Sequence, residues 1–157
     1  MTSEPGRIMA LDIGRKRIGV ALSDSLRMFS SPLTTVGGQP RHAAIGKIAA
    51  LIRQNEATEL VVGLPLTLSG EVGPQAEEIN RFVAELAEQV HIPIHMFDER
   101  LTTAEAQRVM IEMGMKPEQR KAKIDEMAAS IILRDYLSAR HPPPRPSAYG
   151  DYDDDFA

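Results

Sequence analysis

Two apolar runs on either side of a short basic segment constrain the fold of this chain more than any other feature. The first runs from Ile8 to Gly14 and the second from Ile18 to Leu22. This pattern predicts a buried strand, a tight turn and a returning strand. Asp12 lies near the end of the first run. Because an ionised carboxylate is seldom buried unless it is paired or bound to a metal, we expect Asp12 to face a site.

The remaining sequence alternates strand-like and helix-like patterns. A third strand is expected over 28–36, at an edge or shortened, because Pro32 cannot donate to a ladder. A continuous apolar run predicts a buried strand over 58–64, and a fifth strand is expected over 92–97. Apolar residues at helical spacing predict helices over 45–55, 74–90, 102–113 and 120–139. This order predicts an α/β fold with a mixed five-stranded sheet flanked by helices.

Composition limits the class of protein. The 157 residues match one domain of ordinary size, and the absence of cysteine excludes disulfides and thiolate chemistry. No apolar stretch approaches the ~20 residues that span a bilayer, and no signal peptide is recognisable, so we expect a cytoplasmic protein without membrane contact. We expect a domain over 1–140 and a flexible tail over 141–157, Pro-rich and then acidic.

The formal net charge of -4 is concentrated at the C-terminus, where four aspartates within 149–157 account for all of it. The rest of the chain is neutral, and its basic residues form two clusters: Arg15, Lys16 and Arg17 in the first turn, and Arg120, Lys121 and Lys123 before Asp125. Such clusters can position a phosphate backbone, or they can belong to an ordinary solvated surface. Gly14 and Gly19 fit either a close approach of nucleic acid or turn geometry and strand packing.

Three acids are expected to converge. In open α/β sheets ligands collect at the carboxyl ends of strands, where Asp12 and Glu99 lie, and Asp125 lies in the first turns of the last helix. Oxygen donors without cysteine suit Mg²⁺ or Mn²⁺, and two ions would serve an in-line phosphodiester displacement. Asp98 alternates with Glu99 along the strand, so only one of the two should enter the site. Spacing alone does not distinguish such a metal site from a chance grouping of acids near strand ends.

Four motifs, in the same order along the chain, resemble the YqgF family. They are Leu11-Asp12-Ile13-Gly14 with Arg17-Ile18-Gly19-Val20-Ala21 and Ser23-Asp24, then Val61-Val62-Gly63-Leu64-Pro65 with Gly70, then Asp98-Glu99-Arg100-Leu101-Thr102-Thr103, and Asp125-Glu126-Met127-Ala128-Ala129. The resemblance covers about residues 6–138.

The resemblance implies a ribonuclease H-like fold and a family described as Holliday junction resolvases or pre-16S ribosomal RNA nucleases. It also implies that Asp12, Glu99 and Asp125 are the metal-binding and catalytic set. Related junction resolvases carry a second acid on the last helix, three residues before the first, where this chain has Ala122. That difference removes one metal ligand and counts against junction cleavage.

We therefore predict a metal-dependent nuclease that processes the 5′ end of pre-16S ribosomal RNA in ribosome biogenesis. The residues expected to contact the nucleic acid are Arg15, Lys16, Arg17, Arg100, Lys121 and Lys123. One alternative is a Holliday junction resolvase acting on branched DNA, which requires a two-fold homodimer rather than a monomer. The other is a nucleic-acid-binding protein that does not cut.

Overall fold

The computed structural model describes residues 4–65, 71–99 and 102–140, apart from the side chains of residues 99 and 102–104. The predicted tail over 141–157 lies outside these residues. The described elements, in chain order, are β1 (Arg7–Ile13), β2 (Arg17–Ser23), β3 (Ser30–Gly37), α1 (Arg41–Gln54), β4 (Ala57–Pro65), α2 (Pro74–Ala87), β5 (Ile94–Glu99), α3 (Thr102–Glu112) and α4 (Pro117–Arg140).

The five strands form one mixed sheet in the order β3-β2-β1-β4-β5. The first three strands pair antiparallel, whereas β4 pairs parallel to β1 and β5 pairs parallel to β4. Helices α1 and α2 supply the long crossovers that parallel neighbours require. The carboxyl ends of β1, β4 and β5 therefore share one edge of the sheet. The predicted α/β class, a mixed five-stranded sheet flanked by helices, is confirmed.

Helices cover both faces of this sheet. The larger core lies between one face and helices α1 and α2, and includes Leu11, Ile48 and Phe82. The core on the other face joins Ala10 of β1 to Leu133 of α4. Because successive side chains of a strand point to opposite faces, neighbouring residues of β1 face different helices.

Helix α4 begins at Pro117, earlier than the sequence pattern predicts. Proline suits the first helical turn, because an N–H at that position has no intrahelical partner. The side-chain oxygen of Gln119 accepts a hydrogen bond from the backbone N–H of Lys116 at 2.9 Å, which satisfies another donor at this end. Lys123 and Asp125 thus lie within one helix of 24 residues. Within the described ranges, no helix is long and apolar enough to cross a membrane.

A group of charges holds the C-terminal end of α4 to the sheet. Glu59 on β4 accepts hydrogen bonds from Arg27 at 3.1 Å and from Arg140 at 2.8 Å. The guanidinium of Arg140 also lies 5.6 Å from the ring centroid of Tyr136, and that ring stacks on His95 at 5.9 Å. The Glu59 side chain is 17% exposed, so its ion pairs are partly desolvated and fix this end of the helix.

Candidate active site

Asp12 lies at the carboxyl end of β1. It pairs in register with Gly19 of β2, and it is partly buried. Ile8 and Ala10 of the same strand pack in the core under α4. Alternation along the strand therefore puts Asp12 on the α4 face of the sheet.

Gly19 lets α4 approach this face closely. A Cβ built on Gly19 would collide with the backbone carbonyl of Asp125 and would lie 2.8 Å from the backbone nitrogen of Glu126. Since Gly19 is the register partner of Asp12, the contact brings the Asp125 segment of the helix beside Asp12. Of the two roles that the sequence left open for Gly19, the structure supports packing.

An ion pair joins the first turn of the sheet to α4. Nε of Arg17 donates a hydrogen bond to Oδ2 of Asp125 at 2.7 Å. The side chains are 53% and 22% exposed, which places the pair at the solvent boundary. The guanidinium offsets the negative charge that two neighbouring aspartates would otherwise concentrate here. Both residues were predicted for the site, but their pairing across 108 positions was not.

The turn that carries Arg15, Lys16 and Arg17 is held by its backbone. Gly14 donates a hydrogen bond to the carbonyl of Arg17 at 2.9 Å, which closes a two-residue turn. Gly38 donates to the carbonyl of Lys16 at 2.8 Å, and a Cβ at Gly38 would lie 2.9 Å from the carbonyl oxygen of Arg15. The main chain of the turn is therefore fixed while its three basic residues are exposed.

The third predicted acid ends β5. The backbone of Glu99 pairs with Pro65 at the carboxyl end of β4, at the sheet edge where Asp12 also lies. Phe97, two residues earlier, packs against the core under α4. The side chain of Glu99 and the whole of Arg100 lie outside the described residues, so their roles stay predictions.

Two predicted basic contacts lie on α4 just before Asp125. Lys121 and Lys123 are both exposed. Nζ of Lys123 lies 3.2 Å from Oε1 of Glu126. Through its ion pair with Asp125, Arg17 joins the basic turn to the segment of α4 that carries these two lysines.

Two polar groups beside the acids were not predicted from the sequence. Glu126 is only 7% exposed, although it adjoins Asp125 in a helix whose apolar spacing was recognised. Thr35 of β3 faces Gly19 in register, and its hydroxyl is buried without a hydrogen-bond partner in the part of the chain that the structure describes. The signal for Thr35 would have been the register of β2 against β3, which a local sequence pattern does not set.

The donor atoms at this edge of the sheet suit a hard divalent cation. Asp12 and Asp125 offer carboxylate oxygens, the ligand type that Mg²⁺ and Mn²⁺ prefer. Among the described residues, no group of three or more His, Asp or Glu is arranged as a metal site. The side chain of Glu99 lies outside the described residues, although its backbone ends β5 at the same edge of the sheet. The residues present therefore fit a divalent metal, with Arg17 competing for one oxygen of Asp125.

Two solved nuclease structures share this fold. RuvC from T. thermophilus, solved in complex with a Holliday junction substrate, aligns with a TM-score of 0.50 at 15% identity, over 87% of this chain and 96% of RuvC. The fowlpox virus Holliday junction resolvase aligns with a TM-score of 0.52 at 16% identity, over 85% of this chain and 99% of the resolvase. At these identities the likeness shows a common ribonuclease H-like fold and nothing finer.

Sequence relatives are much closer. A protein of Roseiflexus sp. strain RS-1 is 58% identical over 140 residues, which is 89% of this chain and 99% of the relative. A protein of Chloroflexus aurantiacus is 48% identical over 140 residues, which is 89% of this chain and 92% of the relative. Both carry names that assign them, provisionally, as pre-16S rRNA nucleases. The profile of the RuvX family, described as Holliday junction resolvase, matches residues 6–139. The chain belongs to the RuvX family.

Proposed function

We propose that this nuclease hydrolyses phosphodiester bonds in precursor ribosomal RNA, in the maturation of the 5′ end of pre-16S rRNA. The observation that carries the proposal is the approach of α4 to Gly19, which sets Asp125 beside Asp12 at the carboxyl ends of the parallel strands. The names of the Roseiflexus and Chloroflexus relatives support RNA as the substrate. An active site on three secondary-structure elements fits the general rule for open α/β sheets.

Asp12, Glu99 and Asp125 are the proposed ligands of two Mg²⁺ or Mn²⁺ ions. Such ions, when bound, activate water and stabilise the leaving oxygen of an in-line displacement. To hold both ions, the fold must keep these three carboxylates at a constant separation. Strand β1 and helix α4 are suited to this, because β2, which pairs with β1, is in close backbone contact with α4, and regular elements hold their side chains more rigidly than loops do.

Arg17 has a proposed double role. Its guanidinium lies on Asp125, and it is exposed beside two further basic residues of the same turn. Phosphate oxygens offer the guanidinium the same fork-like geometry that a carboxylate offers. A substrate phosphate that binds the Arg17 guanidinium in place of Asp125 would free Oδ2 of Asp125 to bind a metal ion. Substrate binding and completion of the acidic site would then favour each other.

The proposed contacts to the nucleic-acid backbone are Arg15, Lys16, Arg17, Arg100, Lys121 and Lys123. The exposed basic residues of the turn include Arg17, which pairs with Asp125, and Lys121 and Lys123 are exposed on α4 just before Asp125, which suits a strand that crosses the acids. We place the nuclease domain at residues 1–140 and treat 141–157 as a tail. The extent of the family match, residues 6–139, supports this boundary.

The test compares cleavage of labelled precursor ribosomal RNA and of a four-way DNA junction, each with Mg²⁺, Mn²⁺ or chelator. Wild type and Asp12→Asn are assayed together, and Glu112→Gln serves as a control because Glu112 is an exposed acid on α3. We expect metal-dependent cleavage of the RNA by wild type and by Glu112→Gln. Asp12→Asn should lose cleavage and keep RNA binding, because the substitution removes a metal ligand and leaves the basic residues intact.

Three results would contradict the proposal. Undiminished cleavage by a pure preparation of Asp12→Asn would remove Asp12 from the catalytic set. Cleavage of the DNA junction alone would change the substrate class and would also show that the exposed Ala122 of α4 does not need to be an acid for junction resolution. Absence of turnover on both substrates would make the chain a binding protein.

A further inference from the structure

A pocket of about 570 Å³ opens on the face of β1 opposite Asp12. Its floor is apolar and consists of buried residues of the core under α1 and α2: Ile13, Ile18, Ile79 and Phe82. Asp12 lies one residue before Ile13, on the other face of the strand. The sheet therefore separates the pocket from the acids, and the β1–β2 turn borders both.

The rim of the pocket is divided by charge. Arg15 of the β1–β2 turn and Arg41 at the start of α1 contribute two guanidinium groups, whereas Gln75 and Glu78 contribute an amide and a carboxylate from the first turns of α2. Within the described part of the chain, Arg15 makes no ion pair, while Arg41 pairs with Glu85 at 3.0 Å. That pair is exposed, and exposed pairs contribute little, so a phosphate can compete for the guanidinium.

This division indicates a ligand with one anionic end and one flat, polar-edged end. The volume lies within the roughly 300–1,000 Å³ of small-molecule sites. A phosphate suits the arginine side, which also receives the N-terminus of α1, and an apolar floor suits the face of a base. Gln75 can pair with the hydrogen-bonding edge of a base, as can the amide oxygen of Gln39, whose Nε2 donates to the carbonyl of Arg15 at 3.2 Å. Glu78 makes the opposite side unfavourable for a second phosphate.

We propose that this pocket binds one nucleotide of an unpaired RNA strand, with the base over the isoleucines and the phosphate towards Arg15 and Arg41. The inference rests on the proposed function, because the strand in question is the substrate that crosses the turn. Proteins read single-stranded RNA by splaying out unstacked bases, and a base in a duplex does not enter a recess of this kind. The pocket thus selects precursors with unpaired nucleotides next to the cleavage site.

The test uses the full-length Asp12→Asn protein, which is expected to bind RNA without cutting it, with ¹³C-labelled isoleucine methyl groups. Ile13, Ile18 and Ile79 report on the pocket floor, and Ile8 in the core under α4 serves as the internal reference. The protein is titrated separately with a short single-stranded oligoribonucleotide, the same sequence as a duplex, and the four free nucleoside monophosphates. We expect saturable shifts of the three pocket methyl groups with the single strand and not with the duplex.

A matched pair of variants localises the effect. Glu78→Trp fills the pocket from an exposed rim position, and Glu77→Trp adds the same side chain to an exposed neighbour that does not line the pocket. Glu78→Trp should weaken single-strand binding about tenfold, the order expected for loss of one stacked base. Glu77→Trp should stay within about twofold of the parent protein, as surface substitutions usually do.

The following binding results would overturn the inference. Saturation by RNA without shifts at Ile13, Ile18 and Ile79, or equal effects of the two tryptophan variants, would remove the pocket from the RNA path. Shifts with free nucleotides alone would make it a mononucleotide site instead. Cleavage of precursor RNA by wild type, measured in parallel, separates the two proposals: cleavage without the shifts contradicts only the pocket, and the shifts without cleavage contradict only the nuclease assignment.

Discussion

Replacing Gly19 by alanine tests the contact on which the candidate active site depends. The new Cβ would overlap the carbonyl of Asp125 and lie 2.8 Å from the backbone nitrogen of Glu126. Carbon approaches polar backbone atoms to about 3.3 Å, so α4 and β2 must separate by more than roughly 1 Å. No side chain can rotate away to relieve this overlap, because both contacts are with backbone.

The energetic cost follows from this geometry. Overpacking of a core costs about 1–3 kcal/mol, and contacts between two backbones place Gly19→Ala at about 2–3 kcal/mol. Since a domain of this size loses about 2–4 °C per kcal/mol, the melting temperature should fall by about 4–12 °C. A displacement of roughly 1 Å at a catalytic group can cost about 100-fold in rate. Cleavage at 25 °C should therefore fall much more than the folded fraction does.

The assay is urea and thermal unfolding of Gly19→Ala together with cleavage of precursor RNA, with Gly46→Ala as the matched control. Gly46 lies on the exposed side of α1, and a Cβ built there meets no atom within 4 Å. That variant should be more stable by about 0.5–1 kcal/mol, since alanine favours a helix interior over glycine. A Gly19→Ala protein within about 0.5 kcal/mol of wild type would refute the backbone contact.

Three further predictions concern charged groups. Arg17→Gln should weaken RNA binding and lower the slope of log affinity against log salt by about one, because one phosphate contact is lost; an unchanged slope in fluorescence anisotropy would exclude that contact. Glu59→Gln should destabilise the chain by about 1–3 kcal/mol in urea unfolding, since Arg27 and Arg140 lose a charged acceptor, and should leave cleavage intact. Backbone N–H groups, that of Phe29 first, hold the pKa of the Asp24 carboxyl below its ordinary value of 3.8. The ionised Asp24 carboxylate therefore stabilises the fold fully above pH 3.8, and this stabilisation is lost as the pH falls through the lower pKa of the folded state. Asp24→Asn should reduce the loss of stability on acidification, measured by urea unfolding across the acid range.

The sheet and helices could be predicted from the sequence because their patterns are local. The run from Leu60 to Leu64 is apolar throughout, and it forms a strand that is paired on both sides. The prediction was wrong at element ends, where α4 begins at Pro117 because a proline and a capping glutamine extend it beyond its apolar stripe. Caps and hydrogen bonds that cross an element boundary do not change hydrophobic periodicity, so the pattern does not mark them.

The sequence by itself supplied the prediction of which residues carry chemistry: the motifs point to Asp12, Glu99 and Asp125, together with the basic turn, and these roles stay predictions. Tertiary structure decided their arrangement. It set the Asp125 segment against Gly19, paired Arg17 with Asp125 across 108 positions, and opened a pocket on the opposite face of β1. The physical reason is that periodicity shows only that a helix has an apolar face. The strand that this face covers, and how closely, depends on the packing of residues far apart in the chain.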